Sequence, residues 1–285
     1  MTQQRSPLYF ALRRFADNKA AVVSGVILGV ILLMAIFAPF ITPTGYADQD
    51  YLTEALAFPS GQHWMGIDDL GRDFFTRIIY GARVSLSIGF TAALFAVLIG
   101  IPLGAIAGFY GGWADWVVMR LIELFSVVPP LLAAMLLGAL TNGGFLTIVL
   151  IAALFGWVQV CLLVRAQVKA FREKEFVRAA QALGASPGYI IRRHLIPNSI
   201  SPIIVGFVLA IPLAMMLEAS LSFLGIGVPP PVPSWGQMIN VGMNFMYFYW
   251  HLAVFPTAAL AITVLATTLL GDGLRDALDP TMKGR

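Results

Sequence analysis

Charge-free stretches constrain this chain more than any other feature. Residues 20–47, 84–114, 124–164, 194–217 and 219–271 hold no Asp, Glu, Lys or Arg and run to 28, 31, 41, 24 and 53 residues. A helix crosses the ~30 Å hydrocarbon core of a bilayer with about 20 apolar residues, so every one of these stretches can hold a span. The third holds two, parted by the polar, flexible Thr141-Asn142-Gly143-Gly144. The fifth carries Gly225, Gly227, Pro229, Pro230, Pro231 and Pro233 near its start and becomes helix-compatible again near Trp250. It therefore reads as the end of one span, a long loop and another span. The expectation is an all-α polytopic membrane protein with six transmembrane helices, at about residues 20–41, 84–109, 117–140, 145–165, 200–224 and 250–270. Backbone groups in lipid must be satisfied internally, and the runs are too long and too evenly apolar for barrel strands.

Composition removes the other classes. Of the 285 residues, 12% are charged and 59% hydrophobic, where soluble domains carry roughly 25% charge and disordered chains more. A single cysteine, Cys161, leaves no internal disulfide framework and no Cys-rich metal site. A net charge of +3 is too small to point to nucleic acid. The apolar stretch at residue 20 exceeds the 7–15 residues of a signal-peptide core.

The charges that remain set the orientation. Basic residues gather before the first span (Arg5, Arg13, Arg14, Lys19), between the fourth and fifth (Arg165, Lys169, Arg172, Lys174, Arg178, Arg192, Arg193) and in the tail (Arg275, Lys283, Arg285). The positive-inside rule makes these segments, and hence both termini, cytoplasmic. Asp48, Asp50, Glu54, Asp68, Asp69 and Asp73 outnumber Arg72, Arg77 and Arg83 between the first two spans, which places that loop outside. The resulting organisation is a cytoplasmic segment 1–19, a first span 20–41, an outer loop 42–83, a five-helix core 84–271 with a cytoplasmic loop 166–199, and a cytoplasmic tail 272–285. Within the outer loop Leu70, Phe74 and Ile78 recur at helical spacing beside Phe75 and Ile79, the pattern of an amphipathic surface helix. Its aspartates lack the alternating spacing of a calcium loop. The uncharged loop 225–249, rich in Trp, Phe and Tyr, reads as an aromatic outer cap.

The cytoplasmic loop is the most informative stretch. From Glu173 to Leu183 it has acids at its start and helix formers through its middle, and Gly184 follows as a residue that tolerates the left-handed C′ conformation. Ser186 then caps a second helix with Pro187 at its first position. Phe176, Ala180 and Leu183 share one face, with Val177 next to it and small Ala179 and Ala182 nearby. Two readings stay open: a surface that another protein approaches closely, or a stripe packed on the chain's own helix ends.

No residue pattern supports chemistry within the chain. Lys19, Lys169, Lys174 and Lys283 do not follow glycine, so there is no phosphate loop. His-Glu-x-x-His is absent, and His63, His194 and His251 fall in loops or at span ends. Asp272 has no partner carboxylate in another helix. A stand-alone channel or secondary transporter is the alternative to a driven subunit, but internal repeats and midplane coupling-ion charges are missing. Glu218 stands alone in the fifth span, about 18 residues or ~27 Å beyond its cytoplasmic start. Such a carboxylate is a candidate for the translocation pathway or its gate, or else a cap on local polar groups at the outer interface. Pro129, Pro130 and Pro212, like Pro102 and Pro256, remove backbone donors inside spans, where kinks could shape a pathway or fix packing. Arg120 and Glu123 pair at i, i+3.

The elements Ala179-Ala180, Gly184 and Leu195-Ile196-Pro197 resemble the coupling-loop signature of bacterial ABC importer permeases, with Arg178 where that family commonly has Glu. His63-Trp64-Met65-Gly66-Ile67-Asp68-Asp69-Leu70-Gly71-Arg72-Asp73, Ser222-Phe223-Leu224-Gly225-Ile226-Gly227, Pro233-Ser234-Trp235-Gly236 and residues 270–280 narrow the resemblance to the C-type subunit of the dipeptide/oligopeptide/nickel subfamily, over about residues 15–280. The resemblance implies a type I ABC importer permease fold in a bacterial cytoplasmic (inner) membrane. It also implies half of a translocation pathway for di- or oligopeptides or a related small solute. The implied partners are a homologous permease in a heterodimer, two ABC ATPase subunits that bind ATP and Mg, an extracytoplasmic solute-binding protein and membrane lipid. No cofactor is expected in this chain. Coupling to the ATPases falls to Phe176, Val177, Arg178, Ala179, Ala180, Leu183 and Gly184.

Overall fold

The computed structural model describes residues 7–50, 54–141 and 143–278, and all its regular elements are helical. Helix α1 (Pro7–Asp17) is followed by α2 (Lys19–Ile36), capped by Asn18, whose side chain accepts from Ala21 N at 3.2 Å. A short α3 (Ala38–Ile41) leads into the outer loop. Then come α4 (Phe74–Tyr110), α5 (Gly112–Val127), α6 (Pro130–Thr141) and α7 (Phe145–Arg172). The connector after α7 contains α8 (Glu175–Ala182), α9 (Pro187–Ile190), a π-helical turn (Ile191–Leu195) and α10 (Ile196–Asn198). Helices α11 (Ile200–Phe223), α12 (Trp235–Phe245) and α13 (His251–Leu278) complete the chain.

Five helices, α2, α4, α7, α11 and α13, are long and apolar enough to cross a membrane; the bent pair α5–α6 adds a sixth if counted as one span. That pair corrects the expectation of a continuous third span over 117–140. The two helices meet at 80° because Pro130 has no N–H to donate and the position before a proline is steered out of the helical region. At the far end of α6, Gly143 and Gly144 take φ of +69° and +102° and reverse the chain into α7; Asn142 of the expected break lies outside the described residues.

A second correction concerns the outer loop. Leu70, Phe74 and Ile78 do not form a separate surface helix: Leu70 sits in the preceding turn, and Phe74 and Ile78 belong to the first turns of the 37-residue α4. Asp73 starts that helix by accepting from Thr76 N at 2.8 Å, and no proline intervenes before Pro102. Phe74 and Ile78 face inward, packing with Met215, Trp235, Met238 and Leu252, while Leu70 is exposed. Likewise α13 runs to Leu278, so 272–278 is helix rather than tail; residues 1–6 and 279–285, with Arg5, Lys283 and Arg285, lie outside the described residues.

The centre of the bundle is the α4–α7 contact. Gly100, Gly104 and Gly108 recur every four residues on α4, and a Cβ at each would come within 2.9, 2.5 and 2.7 Å of the carbonyl oxygens of Trp157, Cys161 and Arg165. Small residues at this spacing let two membrane helices approach backbone to backbone. At one end Arg165 grips Asp115 of α5 through two hydrogen bonds of 2.5 and 2.7 Å.

Candidate coupling surface and outer clamp

The α8 connector is built as an anchored bracket. Val177 is fully buried and packs with Val168 of α7, Ile190 and Leu195, and partly buried Ala180 and Ala185 join the same cluster. The opposite face is open: Phe176 is 40% and Leu183 89% exposed, and Ala179 is exposed with them. The two sequence readings therefore hold for different residues, and Ala180 parts from Phe176 and Leu183 by turning toward its own chain. Gly184 has φ +79° with nothing within 4 Å of a Cβ position, so its backbone conformation, not crowding, calls for glycine. Its N–H donates to Gln181 O at 2.9 Å, and Ala185 N donates to Ala180 O at 3.0 Å, which spends the last carbonyls of α8. Ser186 caps α9 by accepting from Tyr189 N. Arg178 folds back on Glu173 (3.2 Å), which also takes Arg172 at 3.0 Å. Those hydrogen bonds, Arg172 first, hold the Glu173 carboxyl below the usual glutamate range.

Glu218 sits in a buried cluster of hydroxyl groups. It is fully buried, and its carboxylate accepts from Ser85 Oγ of α4 at 3.0 Å and Ser222 Oγ at 2.7 Å. Ser85 Oγ in turn accepts from Trp235 N at 3.4 Å, and the buried Trp235 indole donates to Ile78 O at 3.0 Å. The carboxylate is thus satisfied by hydroxyls of its own chain, as a buried ionisable group requires. Ser222, at i+4, is the one partner that spacing could have flagged. Pro129 and Pro130 lie exposed at the α5–α6 bend, while Pro212 is buried inside α11, the helix that carries Glu218.

Sequence reasoning used the aspartates of this loop as a topology signal and as part of a family motif, and missed that they form a clasp. Asp68 accepts from Leu70 N and Arg72 N (both 2.9 Å) and from Arg72 Nε at 2.6 Å, and forms an ion pair with Arg77 Nε at 3.2 Å. Arg77 continues to the carbonyls of Tyr46 (3.0 Å) and Pro231 (3.2 Å), and Asp73 holds His63 at 3.0 Å. A cavity of about 220 Å³ lies between this clasp and α12, lined by Asp68, Asp69, Arg72, Arg77 and Gln237 among others. Burial, and next the adjacent Asp68, push the Asp69 carboxyl above its ordinary range. The Arg120–Glu123 pair forms as expected, at 2.6 Å and exposed. Among the described residues, no group of three or more His, Cys, Asp or Glu could hold a metal ion.

Long apolar helices, a folded connector with an open face and a clamped cap are the architecture of a multi-span membrane protein. Residues 100–284 match the family described as the binding-protein-dependent transport system inner membrane component, and residues 6–59 match the N-terminal TM domain of oligopeptide transport permease C; the chain belongs to this permease family. It is 39% identical over 282 residues to the glutathione transport system permease protein GsiD of Pectobacterium atrosepticum, covering 98% of this chain and 93% of that one. It is 42% identical over 274 residues to the oligopeptide transport system permease protein OppC of Bacillus subtilis, covering 96% and 89%. The fold is similar to that of the MetNI methionine ABC transporter in its inward-facing conformation, with a TM-score of 0.57 and 17% identity over 72% of this chain and 97% of that one. The chain is therefore a permease subunit of an ABC importer, a multi-pass protein of the bacterial inner membrane. It is not itself an enzyme: ATP hydrolysis belongs to partner ATPases, and a substrate-binding partner completes the system.

Proposed function

We propose that this subunit forms half of the translocation pathway for a di- or oligopeptide or a related small solute, and that the 173–187 segment receives the force of ATP hydrolysis. Relatives named for oligopeptide, dipeptide and glutathione transport support a peptide-like solute. In this reading α5–α6 counts as one span, giving six. Both termini and the 166–199 loop face the cytoplasm; residues 42–73 and the 225–249 cap face outside. The complex is a heterodimer of homologous permeases with two ATPases, which hold ATP and Mg, and one extracytoplasmic solute-binding protein.

The observation that carries the coupling role is the two-faced α8. A subunit without a nucleotide site is moved by contact with one that has it, and contact transmits motion only through a rigid element. Val177 supplies the rigidity, and Phe176, Ala179 and Leu183 offer the contact. Leu183→Asp is expected to leave the subunit folded and membrane-inserted while abolishing co-purification with the ATPases and uptake, because an unpaired charge buried at an interface costs several kcal/mol. Val177→Asp is expected to lower the yield of folded subunit itself. Normal ATPase binding by Leu183→Asp would remove α8 from the interface. Calorimetry of the cognate binding protein with dipeptides, longer peptides and glutathione assigns the solute.

A further inference from the structure

We propose that Glu218 is a positioning residue that ties the outer cap to two spans, so that docking of the solute-binding protein on the cap reaches α4 and α11 as one displacement. The proposal rests on the outer placement of the cap given above. Its physical basis is the convergence of three elements on one hydrogen-bonded chain: Glu218 of α11 accepts from Ser222 in its next turn and from Ser85 of α4, and Ser85 Oγ accepts from Trp235 N at the start of α12. Around that carboxylate the backbones meet without slack. A Cβ at Gly236 would fall 2.5 Å from Ala219 O, one residue from Glu218, and a Cβ at Gly81 would fall 3.0 Å from the Trp235 ring. Trp235 closes the loop by binding α4 twice, through Ser85 Oγ and Ile78 O. Further along α12, a Cβ at Gly242 would collide with the Leu252 carbonyl of α13, so α12 is a strut held at both ends. A strut pinned at one end through a serine that a single carboxylate holds transmits displacement while that carboxylate is in place and slides when it is gone.

The experiment uses the assembled importer with Cys161→Ser as background and Met238→Cys as a buried reporter on α12. Glu218→Ala is expected to speed labelling of position 238 by a membrane-impermeant maleimide about tenfold or more, the scale of losing the hydrogen bonds of a buried polar group. It is also expected to bring the ratio of binding-protein-stimulated to basal ATPase activity toward one. Glu218→Gln keeps a carbonyl acceptor for one hydroxyl and an amide donor for another, and is expected to stay near the parent in both measurements. Unchanged labelling and an unchanged ATPase ratio in Glu218→Ala overturn the proposal. If Glu218→Ala does not accumulate, Ser85→Ala removes the α4 hydroxyl alone and is read by the same two criteria. Tyr247→Cys, at a position 91% exposed at the end of the cap, separates the two failures: if it resists the impermeant reagent, the outer placement is wrong and the proposal falls with it; if it labels while position 238 does not respond, the clamp alone is wrong.

Discussion

At the scale of single residues, position 184 shows how much a backbone angle can demand. Only glycine, and to a lesser degree asparagine, takes φ near +79° at low cost; the penalty for other residues is about 1–2 kcal/mol, and a β-branched side chain resists it most. Because the surroundings of Gly184 are open, size does not matter there and conformation does. Gly184→Val is therefore expected to tilt or fray the end of α8 and cut uptake severely, whereas Gly184→Asn keeps most of it. Uptake by vesicles containing equal amounts of assembled complex checks the contrast. Equal activity in both variants would mean that the left-handed stop is dispensable. This residue was legible from sequence alone, since its signal is local: helix formers, then glycine, then a Ser-Pro start. Glu218 was half legible. Its isolation marked it as unusual, but Ser85 lies 133 residues away, and no periodicity relates the two.

At the scale of elements, the same logic separates what could be read from what could not. Apolar run length located α2, α7, α11 and α13 because bilayer thickness fixes that length. It placed the start of α4 ten residues late because charged residues at the outer end of a span look like loop until their partners are known. Arg77 is neutralised by Asp68 from the turn before the helix, a pairing that hydropathy cannot see. The α5–α6 break was written in Pro129-Pro130, yet proline in a membrane helix is compatible with either a kink or a turn, and the sequence does not state the 80° to which these prolines bend it. The α4 glycines give the element-level prediction. Gly104→Val places a branched side chain where even a Cβ is 2.5 Å from Cys161 O, and overpacking of this kind costs about 1–3 kcal/mol or more. Gly29→Ala on α2 meets nothing within 4 Å and removes a flexible residue from a helix, a gain of about 0.5–1 kcal/mol. Thermal aggregation of the purified complex is expected to begin at lower temperature for the first and at the same or higher temperature for the second. A Gly104→Val complex as stable as the parent would show that α4 and α7 are not in this contact.

At the scale of the whole molecule, orientation joins the bracket to the clamp. The proposed orientation puts α8 and α12 on opposite sides of the bilayer, with α4 and α11 as the continuous elements between them. Leu183, 89% exposed, is the natural reporter for the inner side. In the Cys161→Ser background, Leu183→Cys is expected to resist a membrane-impermeant maleimide in cells with an intact membrane and to react in inverted vesicles. Co-expression with the ATPases is expected to slow that reaction by about tenfold or more, because the sulfhydryl then lies under a subunit that must bury the exposed face of α8 to move it. Reaction from the outside would invert the topology and place the bracket where no ATPase can reach it. Reaction in inverted vesicles at one rate with and without the ATPases would keep the topology but take the coupling contact away from α8. Protection that depends on the ATPases is the one result that requires both sidedness and contact to be as proposed.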